Sequence, residues 1–191
     1  MLTRRDFLGT ALAATGVVCG LTGTAIAREK RPGWARLVTL GIPMAPGEIH
    51  VVPEDFALYL SLRDNKAVRY PAAVGREELY FPGVFYVGEK REWPSWTPTA
   101  NMIRREPEVY GPLAGGVPGG ARSPLGARAL YLYRRNGRDS LLRIHGTHED
   151  NSIGFPVSNG CVRLSNGYIV HLYRRVALRA KVTLHPRPDQ S

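Results

Sequence analysis

The chain is poor in cysteine, poor in acidic residues and, beyond its first segment, without a long hydrophobic run. Its 191 residues include two cysteines, Cys19 and Cys161. Two thiols cannot build the disulfide framework of a small secreted scaffold or a four-thiolate zinc site. His145-Gly146-Thr147-His148 lacks the i, i+4 helical spacing of zinc proteases, so neither a metal nor another cofactor is expected. Asp and Glu number 16 against 26 Lys and Arg, a formal charge of +10, and such a surface is drawn to polyanions. The basic residues nevertheless lie scattered in pairs, Arg104-Arg105, Arg134-Arg135 and Arg174-Arg175, with no recognition helix or RNA-binding motif between them. Nucleic acid is therefore not the expected partner. No internal repeat or low-complexity block is present.

The first segment reads as an address. Arg4-Arg5 precede a weakly apolar, Gly- and Ala-rich run from Leu8 to Ile26 that ends at Ala25-Ile26-Ala27, the pattern of a twin-arginine export signal with a small-residue cleavage site. Gly9, Gly16, Gly20 and Gly23 interrupt the run, and Val18 ahead of Cys19 does not suit a lipoprotein signal. Cleavage after residue 27 would remove Cys19 and leave no segment able to span a bilayer. The expected setting is the periplasm, where anionic wall material meets a basic surface. The expected organisation is a signal at 1–27, an extension at 28–46, one domain at 47–185 and a tail at 186–191.

Within that domain the pattern is mainly β. Ile49–Val52 is a short apolar run, and Phe56, Leu58, Leu60 and Leu62 alternate with their neighbours as in a half-buried strand. Asp64-Asn65 offers turn chemistry before residues 67–74, which predicts a hairpin. Further strands are expected at 84–87, 129–133, 141–145 and 180–184. Residues 88–126, rich in Pro and Gly, are too long for a turn and read as a lid or binding loop. Trp93 and Trp96 in it would either contact substrate or cover the core as a flap. Asn166 is placed to cap a helix whose Ile169, Leu172, Tyr173 and Val176 share one face.

The chemistry gathers near Cys161. A thiol left alone in an oxidising compartment is a liability unless its reactivity is used, which makes Cys161 the candidate nucleophile. His145, closing the apolar run Leu141–Ile144, is the candidate base, expected to hold a thiolate–imidazolium pair and to return the proton to a leaving amine. Gly146 would leave its carbonyl free to orient the ring. Asn159-Gly160 allows a turn that aims the N–H groups of Gly160 and Cys161 at an oxyanion, and Ser158 could brace it. Arg163 and Thr147 are candidates, with Trp93 and Trp96, for loop support or substrate contact. His50, His171 and His185 read as structural.

These motifs carry a resemblance. His145-Gly146-Thr147, Ile153-Gly154 and Ser158-x-Gly160-Cys161-Val162-Arg163-Leu164, with Pro82-Gly83-Val84-Phe85 and Leu125-Gly126-Ala127-Arg128-Ala129-Leu130-Tyr131 upstream, resemble the L,D-transpeptidase catalytic domain of the YkuD type over residues 47–185. The resemblance implies a mainly β sandwich or open barrel with short helices, one of them directly after the cysteine loop. It also implies Cys161 as nucleophile, His145 as base and acid, and the Gly146 carbonyl as the ring-orienting group. The implied reaction is acyl transfer on peptidoglycan stem peptides: attack at the third residue, loss of the terminal D-alanine, and transfer of the thioester to an amine to give a 3-3 cross-link. Water as acceptor would make the protein a carboxypeptidase, and a lysine of an outer-membrane protein would make it an anchoring enzyme. Attack on an existing link would make it a hydrolase, and loss of catalysis a wall-binding module. The chain departs from the pattern at Asn159, where most members carry His.

Overall fold

A computed structural model describes residues 34–187. The expected export signal with Cys19, and the last four residues of the tail, lie outside them. Eleven strands and three short α-helices follow one another with a few 3-10 turns among the described residues. The strands are β1 (Arg36–Thr39), β2 (Ile49–Val52), β3 (Ala57–Ser61), β4 (Lys66–Pro71), β5 (Val74–Gly75), β6 (Gly83–Glu92), β7 (Arg128–Tyr133), β8 (Asp139–His145), β9 (Pro156–Ser158), β10 (Val162–Arg163) and β11 (Lys181–Leu184). The helices are α1 (Ala100–Arg105), α2 (Pro107–Tyr110) and α3 (Asn166–Tyr173).

Nine strands form one sheet in the order β1-β4-β3-β2-β11-β6-β7-β8-β10, and β5 pairs with β9 in a small parallel sheet. The mainly β expectation thus holds, with a short helix after the cysteine loop. In the large sheet the β11–β2 and β10–β8 pairings are parallel and the rest antiparallel. Residues 36–39, assigned by sequence to an extension, form the edge strand β1 against β4. Asp64 and Asn65 both adopt positive φ, 58° and 53°, and close the expected β3–β4 hairpin.

The alternation in β3 does not mark a half-exposed strand, because all five of its residues are buried. Leu58 and Leu60 enter the main core, while Ala57 and Tyr59 join a second cluster with Leu40, Val52 and Ala67. A strand covered on both faces keeps its period of two but loses its polar side. The main core also takes Leu130 and Leu132 of β7, Ile144 of β8, Val162 of β10, and Ile169 and Leu172 of α3. The strands that carry the cysteine and histidine motifs are thereby fixed by apolar neighbours.

Helix α3 is seated by the sheet at both ends. At its C-terminus Lys90 of β6 donates to the carbonyls of Tyr173 and Val176, both at 2.7 Å, where the helix dipole favours a cation. At its N-terminus the cap residue is Ser165, and the Asn166 side chain reaches across to accept from the Ala127 N–H at 2.7 Å. Asn166 is therefore a tie between helix and sheet, in place of the cap that its residue type suggested. No helix among the described residues is long and apolar enough to cross a membrane.

Candidate active site

Strand β8 ends at His145, and β10 runs parallel beside it with Val162 opposite Ile144 and Arg163 opposite His145. Ile144 and Val162 point into the core. Because strand side chains alternate, Arg143, His145 and Arg163 occupy the other face, and Cys161 immediately precedes β10, level with Arg143 in the register. The bond from the Leu164 N–H to the His145 carbonyl, 2.9 Å, locks the register. On its far side Arg163 exchanges two backbone bonds of 2.9 Å with Ala73. The nucleophile candidate thus sits between two paired segments, on rigid backbone.

The His145 ring is buried, with Nδ1 2.6 Å from the Gly146 carbonyl oxygen. A carbonyl can only accept, so Nδ1 carries the proton and Nε2 presents a lone pair. Gly146 is required by packing as well as by this bond. A Cβ there would lie 2.3 Å from Asn166 Oδ1 and 3.0 Å from Ile169, and one on Gly126, whose φ is +61°, would meet the same Asn166 oxygen at 2.3 Å. Asn166 thus fits against the two glycines of the upstream and histidine motifs.

Electrostatics oppose charge on both groups at rest. Burial, reinforced by the nearby positive charge of Arg163 and then of Arg143, pushes the His145 pKa down to about 3 against the pull of the Gly146 carbonyl. Burial pushes the Cys161 thiol up, partly offset by a hydrogen bond from the Arg143 backbone and by the charges of Arg143 and Arg163. Taken singly, each group is thus shifted toward its neutral form, against the direction of the thiolate–imidazolium pair expected from the sequence. Arg143 and Arg163 are themselves held. Arg143 makes a two-pronged pair with Asp139 at 2.7 and 2.8 Å and lies 4.0 Å above the Tyr131 ring. Arg163 pairs with Glu149 at 2.8 Å, and Thr147, buried, accepts from the Glu149 N–H at 2.9 Å. Thr147 and Arg163 support one loop in this way.

The turn before the thiol is braced from inside. Ser158 Oγ donates to the Cys161 carbonyl at 2.5 Å and accepts from the Gly160 N–H at 3.2 Å. Gly160 has φ +109°, and a Cβ on it would lie 2.7 Å from the Leu79 carbonyl oxygen. The Gly160 N–H is occupied by Ser158, whereas the Cys161 N–H has no intramolecular acceptor among the described residues. The Asn159 side chain is taken up by other partners: Oδ1 accepts from Arg76 at 3.0 Å and from Arg105 at 2.5 Å, and Nδ2 donates to the Tyr110 hydroxyl at 2.6 Å.

Neither tryptophan of the 88–126 region packs in the buried core. Trp93 is about half exposed, and Trp96 rests edge-on against Tyr110 with ring centroids 6.2 Å apart. His50 and His185 pair with each other at 3.1 Å, and His171 with the Tyr70 hydroxyl at 2.6 Å. The sequence reading missed Arg143, Glu149, Arg76, Arg105 and Tyr110. Arg143 was within reach, being two residues before His145 on a strand of period two. The others arrive through loops and carry no spacing signal.

Fold and site define a class: a mostly β protein whose thiol and imidazole stand on neighbouring parallel strands at one sheet edge. The L,D-transpeptidase catalytic domain, YkuD, matches residues 46–184, and the chain belongs to that family. It is 31% identical over 180 residues to the probable L,D-transpeptidase ErfK/SrfK of Salmonella typhimurium, covering 84% of this chain and 55% of that protein. The chain spans about half the length of the ErfK/SrfK relatives it matches. A crystal structure from Brucella melitensis, described as a probable carnitine operon oxidoreductase, is similar at 42% identity and TM-score 0.55, over 76% of this chain and 89% of that one. L,D-transpeptidase 3 from Mycobacterium tuberculosis shares the fold, with 16% identity and TM-score 0.53 over 74% of this chain and 62% of its own.

Proposed function

We propose that the chain is an exported, periplasmic cysteine acyltransferase that acts on peptidoglycan stem peptides. The observation that carries this reading is the Cys161–His145 arrangement, a thiol and an imidazole on one face of neighbouring chain segments, with the Nδ1–H of the imidazole committed to the Gly146 carbonyl and Nε2 left as base. Family membership supports the substrate class. The oxidoreductase description belongs to the Brucella protein; the groups gathered here are those of acyl transfer.

From a neutral pair, proton transfer accompanies attack. As Cys161 Sγ adds to the carbonyl carbon of the third stem residue, its proton passes to His145 Nε2, and the developing oxyanion takes the free Cys161 N–H. Collapse breaks the C–N bond to the terminal D-alanine, whose nitrogen receives that proton, and leaves a thioester. An amine of a second stem then attacks, giving its proton to His145, and the C–S bond breaks to return the thiol. The charges of Arg143 and Arg163 discourage a long-lived imidazolium, which keeps the proton in transit.

Incubation with purified tetrapeptide stems, followed by mass spectrometry, tests the assignment. We expect release of D-alanine and an acyl adduct on Cys161, both absent in Cys161→Ala and His145→Ala. An adduct that survives Cys161→Ala would overturn it.

A further inference from the structure

The carboxamide of Asn159 joins three segments of chain that are distant in sequence. Its oxygen accepts from Arg76, which follows β5, and from Arg105 at the end of α1; its nitrogen donates to Tyr110 at the end of α2. The amide orientation is dictated by these partners, since guanidinium groups only donate. The two guanidiniums also share Glu106, at 2.6 Å from Arg76 and 3.4 Å from Arg105. Arg76 is in turn bonded to the cysteine loop through its own N–H, 3.0 Å from the Ser158 carbonyl. Tyr110 leans on Trp96, and Trp96 is bridged by two backbone bonds of 2.9 and 2.7 Å to Val117. Both sides of the Pro- and Gly-rich segment are thereby tied to a residue two positions before the thiol.

No other part of α1 or α2 is anchored by burial, since neither helix has a buried residue. A segment with so little apolar packing opens at low cost unless polar contacts hold it. Asn159 is suited to the task because its oxygen takes two donors while its nitrogen supplies one; a neutral imidazole offers a single acceptor and a single donor.

We propose that Asn159 is a positioning residue, a latch that holds the α1–α2 segment against the cysteine loop, and that the latch sets how the acyl-enzyme divides between amine and water. The inference rests on the acyl-transfer reading above. With the segment held, water has less access to the thioester, and the acceptor amine meets a preformed surface. In either outcome the C–S bond breaks: with an amine a C–N bond forms, and with water a C–O bond forms and a carboxylate leaves. His145 takes the proton of the attacking group and returns it to the sulfur.

The test measures, on the intact protein, the ratio of hydrolysed to cross-linked product from tetrapeptide stems and the hydrogen exchange of residues 100–113. Asn159→Ala is expected to raise that exchange about tenfold and the ratio about fivefold. Arg105→Ala removes the same contact from the exposed side, so it should raise the ratio similarly while D-alanine release in the first turnover stays within about threefold. Asn159→Asp should restore the native ratio, because a carboxylate accepts from both arginines and the Tyr110 hydroxyl can turn to donate. An unchanged ratio and unchanged exchange in Asn159→Ala and Arg105→Ala would overturn the latch, as would an Asn159→Asp variant as leaky as Asn159→Ala. Absence of D-alanine release by the unmodified protein would instead refute the acyl-transfer reading, and the exchange measurement would still decide whether the latch exists.

Discussion

Replacing Gly160 by alanine puts the geometry of the cysteine turn under direct test. At φ +109° an L-residue is strained by about 1–3 kcal/mol. The new methyl would also lie 2.7 Å from the Leu79 carbonyl oxygen, a backbone atom in the 3-10 turn Glu77–Leu79 that cannot swing aside as a side-chain tip would. One of the two turns must shift, and Cys161 shifts with it. Gly47 supplies the control: its φ is +87°, but an added Cβ meets nothing within 4 Å. Gly47→Ala should therefore cost stability through backbone strain alone and leave catalysis intact. Gly160→Ala should lose a similar or larger amount, lowering Tm by about 4–10 °C for a domain of this size. In addition, displacement of the Cys161 N–H should reduce D-alanine release about 10²–10³-fold, the loss typical of one oxyanion donor. Thermal unfolding and single-turnover release on both variants make the comparison. A Gly160→Ala protein with the native melting temperature and native release rate would refute the reasoning, and so would equal loss of activity in Gly47→Ala.

Three further outcomes follow from the same interactions. His145 is neutral when folded, with a pKa of about 3 against 6.5 in the unfolded chain, so its contribution is present above pH 6.5 and lost as pH falls. Between pH 7 and pH 5 this group should cost about 2 kcal/mol, and urea unfolding of His145→Gln should show a correspondingly shallower loss of stability over that interval. Alkylation of Cys161 by iodoacetamide should keep rising above pH 8 instead of reaching a plateau near neutrality, because burial holds the thiol above its ordinary range; a plateau by pH 7 would show a stable thiolate. Asn166→Ala, which strands the buried Ala127 N–H and empties the space against Gly126 and Gly146, should lower stability by about 1–3 kcal/mol in denaturant titration, with no change in the pH dependence of alkylation.

Much of this was legible before any coordinates. Period-two alternation and Asp64-Asn65 located the β3–β4 hairpin, and the apolar run ahead of His145 located β8, because both signals are local. Two-residue strands such as β5 and β10 have too few positions for a period, and their existence depends on partners far along the chain. The full burial of β3 was equally hidden, since whether a strand is covered on its second face depends on Leu40 and Val52. At the site, the His145–Gly146 and Ser158–Cys161 contacts span three positions or fewer and could be read from residue types. Asn166 shows the opposite case: its type and place suggested a cap, but Ala127 offered its side chain a partner across the fold.

The shift of both groups toward their neutral forms ties the charge pattern to the chemistry. A buried thiolate–imidazolium pair would need its charges compensated, and the groups nearest this site favour only one of them. Arg143 and Arg163 stabilise negative charge on sulfur and disfavour positive charge on the ring. Their own carboxylate partners, Asp139 and Glu149, hold them in place while damping that effect. The imidazolium is consequently opposed by burial and by these charges together, whereas negative charge on sulfur is opposed by burial and only partly relieved by them. In the reaction proposed above, a carbonyl carbon at the sulfur lets the proton move while the C–S bond forms. A thiol pushed up by burial also forms little of the reactive anion beforehand.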